Sequence, residues 1–594
     1  MPEVLLLSAL GLLGMAQALV LPGLCLTSAF PSWNRLQRLL FAIPLSLLLN
    51  HYLACVLVAF GVYGRISLFL VLATELCWLY RCHKKHGSIP IRYEPLGGLL
   101  EVILLVAGVA ALTKYTQAWG RSFGDVFQMW DAFVSWNAWA RSWSAGSLPG
   151  SGMYPNVMPI TYSIPYVFLQ RTDIESFSRA SSGILFLGSI AALIELGFRN
   201  ISLRRLAWVS AYLFAEIQAK FLQSHWQSGY ADVPLATIIV FAFCFSTFEK
   251  REMPWIYGLI AGTAPLVKQP GLLFAMVSPL LGAEWKGWRE SWSTSLRMGL
   301  RMALMTALAA GPWYVFIVFR IYGQAKDSNN VGFLASMVKG GFFDRWGFTL
   351  KLLTGYSSVS FLITIAILSI IGAAASRLAL RWLLLLGIPY FLIWGTVFGY
   401  DIRNLAMSLF PFALAASAGL VFLLGKAELF AASFIPRISI PKIFRSERMA
   451  LFVAFLTVVL TLISFSKPIR HWRESGGLLG WEKEQRIDLG EFPRSNRVLY
   501  ALFNCEQLKN IPLYTNDPWL AMNPEFHGRV KEIHCDQILE RKKKGEDGYA
   551  VLISEPCPGL KEKMTAFKDP IYSEPGLVYL FALNDRLPGT CGIP

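Results

Sequence analysis

The sequence predicts a polytopic α-helical membrane protein of about fourteen transmembrane helices, with a C-terminal extracytoplasmic α/β domain. Three observations carry that expectation. The first is composition: 55% of the 594 residues are hydrophobic and 15% are charged, with a mean hydropathy of +0.47. Soluble globular chains run at about 45–50% apolar and about 25% charged. The second is a train of apolar runs, each near the ~20 residues a helix needs to cross a bilayer. The third is a change of character after residue 466, where spanning runs stop and charged residues become frequent. The chain therefore divides into a membrane part, 1–466, and a C-terminal domain, 467–594.

The apolar runs fall near 4–24, 38–60, 65–81, 97–113, 180–198, 204–222, 231–248, 298–319, 357–375, 381–398, 403–424 and 449–466. No Lys or Arg precedes the first run, whereas a cleavable signal peptide normally begins with a positive region. It reads as a true first span with an outward N-terminus. The longer run 254–283 is broken by VKQPG, Val267 to Gly271. Pro270 cannot continue a helix and Lys268 is costly at mid-membrane. Two short helices with Lys268 at the turn are expected.

The formal net charge is +16, but no basic stripe with interleaved stacking aromatics points to nucleic acid. The cations collect in alternate loops instead, as cytoplasmic loops do. One set holds Arg35 and Arg38; Arg81, Lys84, Lys85 and Arg92; Arg199, Arg204 and Arg205; and Lys250 and Arg251. It continues with Lys286, Arg289 and Arg297; Arg377 and Arg381; and Arg437, Lys442, Arg445 and Arg448. The opposite loops are poor: Arg65 alone near 61–65, none in 223–230, and Arg403 in GYDIRN. This places 114–179, 223–230, 320–356 and everything after 466 outside. The lack of long polar tails favours a bacterial inner membrane, with the C-terminal domain in the periplasm.

The stretch MWDAFVSWNAWARSW, 129–143, packs four tryptophans beside one carboxylate. Trp136, Trp139 and Trp143 recur at i, i+3 and i+7, one helical face. A short helix lying flat on the outer surface, aromatic face toward lipid, is expected. In the C-terminal domain, Arg497–Leu502, Ile511–Tyr514, Val530–Ile533, Tyr549–Ile553 and Leu577–Leu583 read as strands, and Asp536–Lys544 reads as a helix. Cys505, Cys535, Cys557 and Cys591 permit two disulfides with three connectivities; they lack the CxxC spacing of a zinc site. No His/Asp/Glu cluster has ligand spacing, so no cofactor is required, and a divalent metal stays an open but unsupported alternative.

Acidic residues are scarce in the membrane half, so those at the outer boundary count. Asp131 lies in the tryptophan-rich stretch, Asp232 in QSGYADVPLA, and Asp401 and Arg403 in GYDIRNLAMSLFP. Lys268 sits at the outer turn and Arg345 in GGFFDRWGF. In a helical bundle these converge on one outward cavity. Each also has a plain structural role. Asp131 could cap its helix or pair with Arg121, and Asp232 could cap the next helix with Pro234 in its first turn. Lys268 and Arg403 could snorkel to headgroups. His225 reads as structural.

The pieces DAFVSWNAWAR, YPNVMPITYSIPYVF, GYADVPLA, APLVKQPG and DIRNLAMSLFPF, in that order over roughly 97–425, resemble the GT-C superfamily of membrane glycosyltransferases. The likeness is greatest to the protein O-mannosyltransferase and aminoarabinose-transferase branch, the family 39 type. The resemblance implies a GT-C fold and an inverting transferase that uses a polyprenyl-phosphate-linked sugar at the outer face. It implies a catalytic acidic residue in the first large outer loop, matched here by Asp131, and an acceptor hydroxyl on a lipid, glycan or protein. The chain departs from the family in two places. Ala132 follows Asp131 where the family has a second acid, and four spans precede the first loop where one is usual. Asp125 in FGDVF is therefore a rival.

The chemistry fits the same residues. Displacing a lipid phosphate passes through an oxocarbenium-like transition state. The acceptor hydroxyl needs a carboxylate to take its proton, and Asp131, helped or replaced by Asp232, is expected to do so. The departing phosphate needs fixed positive charge, for which Lys268, Arg403 and Arg345 are the candidates. Trp136, Asn137, Arg141, Tyr154, Tyr230 and Asp401 are expected to line the substrate. The contrasting function is a transporter or flippase of a lipid-linked glycan. The internal repeats that mark transporters are not evident here, and the charges sit at outer mouths rather than the midplane. A scaffold whose outer domain binds partners would leave Asp131, Asp232 and Lys268 without a shared purpose.

Overall fold

The computed structural model describes residues 2–30, 33–86, 96–247, 254–283, 292–323 and 341–432, and, with interruptions, 455–500, 511–553 and 572–583. The membrane part is a succession of helices: α1 (Pro2–Leu19), α2 (Leu21–Ser28), α3 (Arg35–Ala59), α4 (Arg65–His86) and α5 (Leu99–Arg121). After a π-helical turn, Ala132–Asn137, come α6 (Ala138–Ser144), α7 (Val157–Leu169), α8 (Ser176–Arg199), α9 (Arg204–Leu222) and α10 (Asp232–Ser246). Then follow α11 (Pro254–Val267), α12 (Gly271–Gly282), α13 (Trp292–Gly323), α14 (Phe342–Tyr356) and α15 (Val359–Ala375). The helical stretch from α16 (Arg377–Trp382) through α17 (Ile388–Ile393) is interrupted by π turns, and α18 (Ala406–Ala432) follows.

Among the described residues, seven helices are long and apolar enough to cross a membrane, or nine if each bent pair is one span. The sequence leads one to expect about fourteen, and the difference has a physical cause. Helices α10, α11 and α12 have 15, 14 and 12 residues, so at 1.5 Å per residue each covers about 18–22 Å against a ~30 Å hydrocarbon core. Every residue of α10 is buried. Such a helix is apolar because it sits inside the protein, and hydropathy alone cannot tell that from contact with lipid. Helix α9 carries Arg204, Arg205, Glu216 and Lys220, and most of the expected span 449–466 lies outside the described residues. Conversely α7, inside the expected outer loop 114–179, is a helix with all 13 residues buried.

The break expected at VKQPG is present: α11 ends at Val267 and α12 begins at Gly271. Gly271 is required there, because a Cβ would lie 2.4 Å from the carbonyl carbon and oxygen of Ala264.

The chain forms two compact units. The larger comprises Met1–Phe123, Trp139–Gln170 and Phe177–Pro468; the smaller comprises Gly124–Ala138, Arg171–Ser176 and Ile469–Pro594. In the larger unit, one end of the bundle gathers ion pairs. Arg204 donates to Glu101 at 3.0 Å, Arg205 to Glu428 at 2.7 Å, and Arg199 to Glu195 at 3.2 Å. The 19 residues of α9 then run about 28 Å to the opposite end. There the C-terminus of α9, the start of α10, the α11–α12 break and the start of α18 come together.

The tryptophan stripe is not the exposed aromatic face expected of a helix lying on lipid. Trp136 and Trp143 are buried, 4% and 0% exposed, and the Trp143 indole donates to Asn156 Oδ1 at 3.0 Å. The π turn at Ala132–Asn137 changes the register on which the i, i+3, i+7 expectation depended. Exposed aromatics on a transverse helix occur instead on α14, which meets α15 at 103° and exposes Phe342, Phe343 and Phe348.

The smaller unit contains a five-stranded sheet: β1 (Leu513–Thr515), β2 (Val530–Glu532), β3 (Tyr549–Ile553), β4 (Tyr572–Glu574) and β5 (Val578–Ala582). The order is β2-β1-β3-β5-β4. β1 runs parallel to β2 and β3, while β5 runs antiparallel to β3 and β4. Tyr514, Ile538, Ala550 and Leu583 form a core between the sheet and the helix Cys535–Lys544. The expected strand 497–502 is overturned where it is described, since Arg497, Leu499 and Tyr500 are helical. Cys535 is disulfide-bonded; Cys505, Cys557 and Cys591 lie outside the described residues.

This unit also encloses a network of acids around one arginine. Arg486 bonds Glu482 at 3.3 Å, Glu525 at 2.8 Å and the Asp173 carbonyl at 2.6 Å. Glu482 in turn accepts from the main-chain N–H groups of Glu175 and Ser176, at 2.7 and 3.2 Å. Phe133 stacks on Trp519 with centroids 5.0 Å apart, which ties the first-loop segment to this unit.

Candidate functional site at the end of the helical bundle

Four sequence motifs that are far apart along the chain meet at the end of the bundle opposite the Glu101–Arg204 pair. Asp232 is the first residue of α10 and is 3% exposed. It does not cap that helix, whose N-cap is Ala231 with no side-chain cap bond. Its Oδ1 instead accepts from Lys268 Nζ at 2.5 Å. Lys268 stands in the α11–α12 break, where the backbone has left the helix, so its amine can reach sideways. It also donates to Asn404 Oδ1 at 3.0 Å. The Asn404 carbonyl accepts from the Tyr390 hydroxyl at 2.8 Å.

Asp401 and Arg403 form a second pair on the turn leading into α18. Asp401 Oδ1 accepts the Arg403 main-chain N–H at 2.9 Å, and Oδ2 accepts Arg403 Nε at 2.7 Å and also its Nη2. The Trp394 indole donates to the Asp401 carbonyl at 3.0 Å. Burial raises the Asp401 carboxyl, but the Arg403 bonds and charge outweigh it and hold the group below the ordinary range. The Arg403 guanidinium lies over the Tyr230 ring, 3.9 Å from its centroid, a cation–π contact that replaces water on that face. Asp232 is also close enough to Arg403 to bear on its charge. Lys268 and Arg403 are thus folded into ion pairs rather than snorkelling.

The loop between α9 and α10 supplies the remaining wall. Tyr230 is 5% exposed, and its ring lies 5.2 Å from that of His225. His225 Nδ1 contacts the Leu222 carbonyl at 2.5 Å, and burial pulls its pKa below the usual imidazole value. Gln223 has φ 44 and ψ −124, the mirror-turn backbone that glycine normally supplies. A residue held there costs on the order of 1–3 kcal/mol. The Tyr162 hydroxyl donates to the Gly229 carbonyl at 3.1 Å and so pins this loop to the buried helix α7. Gln269 donates to the Met153 carbonyl at 3.3 Å, drawing the YPNV turn toward Lys268. Tyr154 and Lys268 both bear electrostatically on Tyr400.

Of the residues expected from sequence, Asp232, Lys268, Asp401, Arg403 and Tyr230 come together here, with Tyr154 at the margin. Arg345 lies one layer out: on α14, its Nη1 donates to the Thr396 carbonyl at 2.8 Å. Arg141 is half-buried on α6. Asp131, Trp136 and Asn137 belong to the smaller unit, so the two expected catalytic carboxylates fall in different units. Asp131 makes no side-chain cap bond to the helix that follows it. Sequence reasoning missed Asn404, Tyr390 and Tyr400, and set His225 aside. Asn404 sits inside the GYDIRN motif itself, a signal that was present. Tyr390 is placed only by tertiary packing. Among the described residues, no group of three or more His, Cys, Asp or Glu is placed to hold a metal ion.

No family model matches the chain, and no curated protein matches it.

Proposed function

We propose that this protein is an inverting glycosyltransferase that moves a sugar from a polyprenyl-phosphate donor to a hydroxyl at the outer face of the membrane. The observation that carries the reading is the pair of ion pairs, Asp232–Lys268 and Asp401–Arg403, at one end of the bundle. Two carboxylates and two cations give that cluster no formal net charge. An arriving phosphate would draw Lys268 and Arg403 toward itself, with charge-assisted bonds to the leaving oxygen. A lipid-linked donor cannot leave the bilayer, so the site has to open near headgroup depth. Helix α14, lying across the direction of α15 with exposed phenylalanines, suits that depth. The hydroxyl proton is assigned to Asp131 or Asp232, and the GT-C likeness, the outward orientation and the bacterial inner-membrane location belong to the same reading.

The test is a transfer assay in nanodiscs with a panel of radiolabelled polyprenyl-phosphate sugars and extracted lipid, glycan and protein acceptors. Wild type, Lys268→Met, Asp131→Asn and Asp232→Asn are compared. Donor turnover that Lys268→Met abolishes supports the reading, and the two carboxylate variants separate the bases. If no donor is turned over while the same vesicles flip a lipid-linked glycan, the protein is a transporter instead.

A further inference from the structure

The loop between α9 and α10 presents a base that the two ion pairs leave unused. A carbonyl oxygen only accepts, so the 2.5 Å contact with Leu222 places the ring proton of His225 on Nδ1. In the neutral ring, Nε2 then carries a lone pair. Two contacts fix the residue: the ring lies against Tyr230, and the Ser228 hydroxyl donates to the His225 carbonyl at 3.1 Å. The strained backbone at Gln223 lies two residues earlier in the same turn. Three charged groups bear on the ring. Arg403 opposes its protonation, whereas Asp401 and Asp232 favour it. Burial is the largest influence and disfavours the charged imidazolium. Asp232 and Asp401, by contrast, are each held by a cation.

We propose that His225 Nε2, in place of either carboxylate, is the proton acceptor at this site, while Asp232 serves to hold Lys268. This rests on the transferase reading above. In the step, the acceptor oxygen attacks the anomeric carbon and the bond from that carbon to the phosphate oxygen breaks. The electron pair of that bond leaves on the phosphate. The hydroxyl proton passes to Nε2, and the imidazolium formed returns it to water.

The experiment measures transfer across pH for wild type, His225→Gln and His225→Ala, the last with and without added imidazole. Wild type is expected to lose rate only as pH falls below the usual imidazole range, because burial lowers the His225 pKa. His225→Gln should lose at least ~100-fold in kcat, with little change in donor KM and no such acid limb. Added imidazole should restore part of the rate to His225→Ala, which a purely structural histidine would not allow. A His225→Gln protein that keeps both rate and acid limb overturns the assignment while the transferase reading stands. A wild type that transfers no sugar overturns the transferase reading itself, and the base role with it. Histidine ¹⁵N spectra of the same samples settle whether the variants fold, through the other six of the seven histidines. They also report the ring directly, and a proton found on Nε2 of His225 overturns the proposal independently of the assay.

Discussion

Lys268 and Asp232 are close enough, and buried enough, that neither tolerates loss of the other. Their side chains are 15% and 4% exposed, and breaking a buried pair by removing one partner costs about 3–5 kcal/mol. Lys268→Met is expected to lose stability of that order. Combining it with Asp232→Asn should recover most of the loss without restoring transfer. Thermal unfolding of the four proteins in one detergent checks this, and a double variant no better than Lys268→Met would show that the two residues do not couple. Gln223 is expected to behave oppositely. Gln223→Gly relieves the backbone strain, so its Tm should rise while transfer falls, because the turn that carries His225 is loosened. A fall in Tm would remove strain as the explanation.

Two elements determine how the site is held. The α11–α12 break requires the main chains to approach at Gly271, where any Cβ would strike Ala264. Gly271→Ala should therefore cost about 1–3 kcal/mol and displace Lys268, with a loss of transfer. Gly299→Ala on α13, where a Cβ meets nothing within 4 Å, is the matched control and should be neutral or better. The second element is the smaller unit's helix Leu478–Ile487, which carries Glu482 and Arg486. Burial pushes the Glu482 carboxyl from 4.5 up to about 7, against the pull of Arg486 and the main-chain donors. The folded unit then binds this proton more tightly than the unfolded chain does. The stability it contributes is full below about pH 4.5, declines as pH rises, and is lost above about 7. Unfolding of wild type and Glu482→Gln across that window should show a downward slope in the first and a flatter one in the second. Parallel slopes would mean another group titrates.

At the scale of the molecule, the larger unit has two chemically distinct ends. One gathers the pairs Glu101–Arg204, Arg205–Glu428 and Glu195–Arg199; the other gathers Asp232, Lys268, Asp401 and Arg403. The positive-inside expectation makes the first end cytoplasmic. Single cysteines at Ser224 and Ser202, both exposed, probe this in a background where the exposed Cys77 is replaced by serine. A membrane-impermeant maleimide should label position 224 in intact cells and position 202 only after permeabilisation. The reverse pattern would place the site on the cytoplasmic face and end the outer-face transferase reading.

Much of this was legible in the chain itself. Helical character, the VKQPG break, most of the short strands and the choice of Asp232, Lys268, Asp401 and Arg403 as candidates follow from apolar period, proline chemistry and the scarcity of charge in apolar surroundings. Each of these is a local signal: it depends on neighbours within a turn or two. What only the tertiary structure decided is which apolar faces meet protein rather than lipid. That choice turned α10 and α7 into buried core, moved the exposed aromatic surface from the tryptophan stretch to α14, and set Asp131 in a different unit from Asp232. It also brought His225, Tyr390 and Asn404 to the site. Hydropathy cannot make that choice, because the interior of a helical bundle and the interior of a bilayer are equally apolar, and only the packing of distant segments distinguishes them.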